Sequence, residues 1–197
     1  LVITEHTSLY NAWHQRKDNF GLADLIKVKA PDWHDRRTPE AILSISEQRN
    51  EIGKGRVIYL PEVIPSVPKP TMVPMAGPYF KLAKNHQQLI DAVQWASRNN
   101  LSLHIEGPET VTMELLKQEN KNRLLLHLVN FNYEKTPAEN LKVSLKIPQG
   151  KKVQKLTLLS PDRKIIASNQ NFTQEKGMIQ FTIPQVKLYA LVAIELR

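Results

Sequence analysis

Cysteine is absent from the 197 residues, which excludes a disulfide scaffold, a thiolate nucleophile and any metal site with a cysteine ligand. No apolar run approaches the ~18 residues that a membrane-spanning helix needs, so we expect no membrane partner. Glycine is scarce, and its one Gly-x-Gly, at residues 53–55, precedes an apolar segment instead of following one. This order predicts a tight turn and not a dinucleotide-binding loop.

The start of the chain carries no signal-peptide pattern. The first residue is Leu1, which predicts a processed chain or an excised piece. The sequence pattern itself leaves the cellular compartment open.

Positive charge exceeds negative charge, with 27 Lys and Arg against 19 Asp and Glu. The excess is spread along the chain, and its tightest groups are the pairs at 36–37, 151–152 and 163–164. A nucleic-acid interface usually concentrates its cations on one face, often with aromatic residues between them. The dispersed pattern is typical of solvated lysines, so we expect no nucleic-acid partner.

The first hundred residues have a mixed pattern. The abrupt apolar run Leu1–Thr4 predicts a buried strand, and residues 19–26 predict a short helix capped by Asn19. Thr38-Pro39 is a typical helix start, the following residues 41–46 are compatible with helix or strand, and residues 56–60 predict a strand that Pro61 ends.

Residues 61–78 contain six prolines, which predict an extended connector because proline fixes φ and lacks a backbone donor. After the connector, a helix near 86–98 is predicted, with Asn85 as its cap and an Asn99-Asn100 end. Its apolar positions at helical spacing are Leu89, Val93 and Ala96, with Ile90 beside them.

From Leu101 onward the hydrophobic period changes to two. Alternation predicts strands at 111–115, 141–147 and 179–183, and continuous apolar runs predict central strands at 124–131 and 188–194. Turn signals lie between them at 148–150, 160–162 and 175–177. Six or seven short strands without a helix predict an antiparallel β-sandwich at 101–197.

No group of residues has the spacing of a known reaction centre. The six histidines lack metal-ligand spacing; His104 and Glu106 share one strand face, which favours a structural pair over half of a metal site. His127 lies in an apolar strand and is interpreted as a hydrogen-bonded core imidazole. We therefore predict no catalytic, cofactor-binding or metal-ligating residue, and no cofactor. Glycoside hydrolysis needs two facing carboxylates, and the sequence gives no reason to pair any two of its carboxylates, such as Glu5, Glu62, Glu106 and Glu109.

The aromatic residues give no sugar platform on the predicted sandwich. All three tryptophans, Trp13, Trp33 and Trp95, precede it, and Trp95 is expected to pack from the helix against a core. The strand aromatics Phe131, Phe181 and Tyr189 are interpreted as core residues.

Several segments, taken in order, resemble the rear part of bacterial glycoside hydrolases of the β-galactosidase type. LVITEHTSLYNAWHQRKDNFGLADLIKV and IGKGRVIYLPEVIPS resemble parts of their trimerisation domain. LIDAVQWASRNNLSLHIEGPETVTMELL, RLLLHLVNFN and KVSLKIPQGKKVQKLTLLSPD resemble its exit helix and the C-terminal β-sandwich. The resemblance implies an α/β + β chain: a truncated flavodoxin-like (amidotransferase-like) α/β portion at 1–100, followed by an antiparallel Ig-like β-sandwich at 101–197.

In that family the catalytic carboxylates lie on an N-terminal barrel, so no catalytic residue is carried over to this sequence. The resemblance implies a non-catalytic scaffolding portion of a carbohydrate-active enzyme, in a periplasmic or secreted setting. Its expected partners are the N-terminal barrel domain of the parent protein and other subunits of a homo-oligomer. The alternatives are a freestanding carbohydrate-binding module and, third, a basic polyanion-binding protein.

Overall fold

The computed structural model describes residues 1–30, 45–67, 81–132, 134, 136–161 and 167–197. Two compact units are present. The described residues up to Asn100 form the first unit, and Leu101–Arg197 belong to the second. Among the described residues, no helix is long and apolar enough to span a bilayer.

The first unit contains a three-stranded sheet of β1 (Val2–Thr4), β2 (Gln48–Ile52) and β3 (Gly55–Leu60) in the order β1-β3-β2. Strand β1 runs parallel to β3, and β2 runs antiparallel to it. The last four residues of β3 are all buried, as expected of a central strand covered on both faces.

Alternate residues of β3 enter two separate apolar clusters. Val57 and Tyr59 join the cluster beneath helix α1 (Ala23–Ile26). Ile58 and Leu60 join a smaller cluster with helix α2 (His86–Ala96). The sheet therefore has an apolar cluster on each face, one packed against α1 and the other against α2. The α/β, flavodoxin-like assignment of residues 1–100 stays a prediction.

A tight hairpin joins β2 to β3. Ile52 pairs with Gly55, so Gly53 and Lys54 form the two-residue loop. Gly53 has a φ of +57°, a conformation that glycine adopts without steric cost. The predicted turn is confirmed, whereas β2, which carries little apolar character, was not predicted from the sequence.

Two local predictions in the first unit are wrong. Asn19 does not cap α1; its Oδ1 accepts hydrogen bonds from the backbone of Phe20 and Ala30, at 2.9 and 2.7 Å, and so closes the loop around the helix. In α2 the buried residue is Ala92, whereas Ile90 and Val93 are each 44% exposed. Leu89 and Ala96 pack against the same cluster as Ala92, as predicted, so the prediction is wrong only for Ile90 and Val93.

Nine strands form two antiparallel sheets in the described part of the second unit. The four-stranded sheet has the order β10-β11-β7-β4, and the five-stranded sheet has the order β5-β6-β12-β8-β9. A short 3₁₀ helix, Glu119–Lys121, joins β5 to β6. The strands are β4 Leu103–Glu106, β5 Val111–Gln118, β6 Arg123–Asn130, β7 Ala138–Lys146, β8 Val153–Leu159, β9 Ala167–Asn169, β10 Thr173–Glu175, β11 Met178–Val186 and β12 Tyr189–Leu196.

One hydrophobic core joins the inner faces of these two sheets. Leu126 and Leu128 of β6 belong to the same cluster as Leu141 and Ile183 of the other sheet. The alternating pattern therefore produces a β-sandwich, as predicted. Its described part has nine strands in place of the predicted six or seven, because β4, β9 and β10 are only three or four residues long. Its classification as Ig-like stays a prediction.

Several sequence expectations fall outside the described residues. These are the helix start at Thr38-Pro39, most of the segment 41–46, the larger part of the proline-rich connector (68–78), Trp33, and the basic pairs at 36–37 and 163–164.

Candidate functional site

Two of the four candidate carboxylates, Glu5 and Glu106, make structural contacts. Glu106 Oε2 pairs with Lys142 Nζ at 3.1 Å across two neighbouring strands, so it does not serve as a partner for His104. Glu5 Oε1 accepts a hydrogen bond from the backbone N–H of Val63 at 3.1 Å. No group of three or more metal-ligating side chains occurs within the described ranges.

His127 lies on the outer face of the five-stranded sheet and is half-buried. Its Nδ1 is 2.7 Å from the hydroxyl oxygen of Tyr189. In register, its neighbours are Glu114 and Leu191. Its Nε2 is buried and has no hydrogen-bond partner among the residues that the structure describes. The interpretation as a satisfied core imidazole is therefore wrong: the ring makes one hydrogen bond, to Tyr189, and lies at the outer face of the sheet.

Trp13 is the most exposed large hydrophobic side chain of the described residues, at 83%. It lies in the loop 11–15, which Asn11 organises. Asn11 Oδ1 accepts hydrogen bonds from the backbone of Trp13 and Gln15, both at 2.9 Å. Asn11 Nδ2 donates to Gln15 Oε1 at 3.0 Å, and two backbone bonds close the loop at 2.9 and 3.0 Å.

The base of this loop is attached to the core of the first unit. Tyr10 and Arg16 pair as an isolated antiparallel bridge. Lys17 donates its backbone N–H to the carbonyl of Leu9 at 2.9 Å, and Leu9 is fully buried. Trp13 is therefore presented to solvent by an ordered loop, and its exposure does not result from a loose chain.

Little in the sequence indicated this arrangement. Asparagine favours turns in which its side chain bonds the backbone two residues later, but that preference does not reveal which way the intervening tryptophan points.

The predictions for the other aromatic residues are confirmed at some positions and wrong at one. Trp95 packs against the cluster at α2, with the Arg56 guanidinium 4.9 Å from its ring centroid. Phe181 is a core residue, whereas Phe131 is 59% exposed, which corrects its interpretation as core.

A polar groove of about 420 Å³ lies beside strand β10. Amide and hydroxyl side chains line it, together with Phe172 and Phe181. Gln180 and Thr173 face each other across the β10–β11 pair. Side chains of this kind can donate hydrogen bonds to, and accept them from, a neutral hydroxylated ligand.

No protein-family model and no curated protein matches the chain. Among solved structures, α-L-fucosidase isoenzyme 2 from Paenibacillus thiaminolyticus superposes with a TM-score of 0.48 and 20% identity, covering 56% of this chain and 18% of that one. A cycloisomaltooligosaccharide glucanotransferase from a Paenibacillus species superposes with a TM-score of 0.35 and 13% identity, covering 51% of this chain and 19% of that one. The fibre head protein of bovine atadenovirus type 4 superposes with a TM-score of 0.18 and 9% identity, covering 49% of this chain and 99% of that one.

The first two of these solved structures are carbohydrate-active enzymes, and the chain spans less than a fifth of either. All three TM-scores lie below 0.5. These superpositions therefore carry no argument about activity or ligand, and a family assignment to the β-galactosidase type stays a proposal.

Proposed function

We propose that this chain is a non-catalytic assembly portion of a carbohydrate-active enzyme of the β-galactosidase type. The single observation that supports the assembly role is the exposed Trp13 on its hydrogen-bonded loop. The carbohydrate context comes from the ordered sequence segments that resemble that enzyme family. The expected partners are a barrel domain of the parent protein and a second copy of the chain.

A tryptophan in this position has the properties of an interface anchor. Tryptophan is enriched among the residues that dominate binding energies at protein interfaces. The loop around Trp13 is already ordered by the bonds to Asn11, so little conformational entropy remains to be lost on association. Leu1, at 56% exposed, adds apolar surface in the same unit.

Two other large apolar side chains of the first unit are not available for association. Ile3 and Phe20 are only 2% and 3% exposed, because α1 and its flanking loops cover them. Association through residues 1–60 is therefore proposed to depend on Trp13, and not on an uncovered sheet or helix face.

Sedimentation velocity over a concentration series tests the assembly role. We expect the full chain to self-associate and Trp13→Ser to raise the dissociation constant by about 30-fold, the loss of a typical interface anchor. Phe131→Ser is the matched control, because it removes an exposed aromatic side chain from the second unit. A chain that stays monomeric, or equal weakening by both variants, would contradict the proposal.

The non-catalytic part of the proposal has a separate test. The purified chain should not hydrolyse any member of a panel of aryl glycosides. Turnover that survives repurification and disappears when a single Glu or Asp is replaced would overturn it, because glycoside hydrolysis depends on specific carboxylates.

A carbohydrate-binding module is the second candidate, and the polar groove beside β10 favours it. Isothermal titration with neutral oligosaccharides should then show binding that Gln180→Ala weakens. Gln185→Ala is the control, since Gln185 lies on the same strand and bonds Glu139 at 3.2 Å outside the groove. Absence of binding, or equal loss in both variants, would reject the module.

A further inference from the structure

A cleft of about 310 Å³ opens at one end of the sandwich, where β5 ends and β6 begins. The loop 148–152, which precedes β8, forms its other side. Its polar lining consists of Lys117, Glu119, Asn122, Arg123, Gln149 and Lys151. This volume is at the lower end of the range of small-molecule sites.

The cleft has an excess of positive charge. Lys117 Nζ and Glu119 Oε1 form an ion pair at 3.0 Å, which balances one cation with the one acid in the lining. Arg123 and Lys151 remain as additional cations. Glu195 lies directly opposite Arg123 in the strand register, but no ion pair joins them in the described part of the chain.

Arg123 is oriented by the sheet. Its Nε donates to Gln118 Oε1 at 2.5 Å, across the β5–β6 pair. This bond fixes the plane of the guanidinium and leaves its two terminal nitrogens to bind a ligand. Two nitrogens in one plane match the two oxygens of a carboxylate, or two oxygens of a sulfate.

The loops on both sides of the cleft are ordered as well. Asn122 has a φ of +47° and donates from Nδ2 to the carbonyl of Leu196 at 2.7 Å. Opposite, Lys151 donates its backbone N–H to Pro148 at 3.0 Å, in a turn that Gly150 permits with a φ of +77°. Both cations are thus attached to fixed backbone, as a preformed site requires.

We propose that this cleft binds the carboxylate or sulfate group of an acidic saccharide. The anionic group is inferred from the geometry of Arg123 and Lys151, and the saccharide rests on the proposed function. A nucleic acid fits less well, because the lining contains no aromatic side chain for base stacking and holds two uncompensated cations instead of a long basic stripe.

Isothermal titration of the full chain tests this proposal with four ligands: an oligogalacturonate, a sulfated oligosaccharide, a neutral oligosaccharide of equal length and single-stranded DNA. We expect an acidic saccharide to bind more tightly than the neutral one, with an affinity that falls as salt is raised. Arg123→Gln should weaken that binding by about tenfold or more, as expected for a lost charge-assisted pair. The carboxylated and sulfated ligands distinguish the two anion types.

Lys187→Gln is the matched control, since it removes the same charge from the turn between β11 and β12, at the opposite end of β12. Lys151→Gln, on an exposed loop, replaces Arg123→Gln if the latter alters the thermal unfolding of the chain. Equal binding of acidic and neutral saccharides, tighter binding of DNA, no binding of either anion, or equal effects of Lys187→Gln and the cleft variants would overturn the inference. Titration measures ligand binding and sedimentation measures assembly, so failure here is distinct from failure of the proposed assembly role.

Discussion

The two units hold their chains together in different ways. In the second unit, one continuous core joins both sheets, and almost every strand contributes alternating residues to it. In the first unit, the three-stranded sheet separates two smaller clusters, and much of the chain around them is loop. A small core buries a smaller share of its chain, so other interactions must position those loops.

Polar side chains that bond to the backbone supply these interactions in the first unit. Asn50 donates from Nδ2 to the carbonyls of Leu25 and Ile26, at 3.1 and 3.0 Å, and so ties the end of α1 to β2. Asn85 accepts a hydrogen bond from the backbone of Ile64 at 2.9 Å. The comparison shows that apolar burial organises the sandwich, whereas the first unit relies more on individual hydrogen bonds.

The largest expected effect is in the sandwich core. Leu126→Ala should lower the free energy of unfolding by about 2–5 kcal/mol, because it leaves a cavity where Leu126 is fully buried. Lys142→Ala is the control: its ion pair with Glu106 is exposed, so the change should stay below about 0.5 kcal/mol. Urea denaturation measures both, and equal midpoints for the two variants would show that β6 is not central.

Alkaline pH should lower the free energy of unfolding of the first unit through Tyr59. Burial, with a further contribution from the Glu5 charge, raises the pKa of Tyr59 from 10.0 to about 12. The folded state therefore holds the phenol proton more tightly than the unfolded state. The resulting stabilisation is complete below pH 10 and is lost as the pH rises to about 12, which amounts to roughly 2–3 kcal/mol.

Urea unfolding at pH values on either side of this range measures the effect. Tyr59→Phe is the comparison variant, since it keeps the ring but removes the hydroxyl that donates to the Glu5 carbonyl at 2.9 Å. Its free energy of unfolding should fall less over the same range. An identical fall in both proteins would assign the pH dependence to other groups.

The smallest expected losses of stability come from replacing two asparagines, one buried in the second unit and one exposed in the first. Asn130 is 5% exposed, and its side chain bonds Thr110, Thr136, Val186 and Asn132 at one end of the sandwich. Asn11 makes three similar bonds while exposed. Asn130→Ala should cost about 2 kcal/mol and Asn11→Ala about 0.5 kcal/mol, because water replaces lost partners only at the exposed site. Thermal unfolding of both variants measures the difference, and equal costs would contradict the role assigned to burial.

The sandwich strands were predictable because alternation and burial have the same cause. Residues two apart in a strand point to one face, so Leu141, Val143 and Leu145 all reach the core. The same reasoning failed at Phe131, which follows the last residue of β6 and is therefore outside the alternation. It also failed at β2, whose polar residues pair with β3 through their backbone.

The candidate sites were less predictable than the fold. The sequence contained Trp13, Arg123 and Lys151, but no spacing distinguished them from other exposed residues. Trp13 is a candidate interface residue because the hydrogen bonds of Asn11 order the loop that exposes it. Arg123 is a candidate anion-binding residue because Gln118 orients its guanidinium across the strand pair.

The sequence by itself determined the positions of five of the nine described sandwich strands and the turn at Gly53, because these depend on hydrophobic period and on local backbone preference. The tertiary structure alone decided that Val93 of α2 is exposed, where Trp13 points and which cations share a cleft. These features depend on residues that are distant along the chain, such as Arg123 and Lys151. Only the folding of loops and strands around a common core brings such residues to one place.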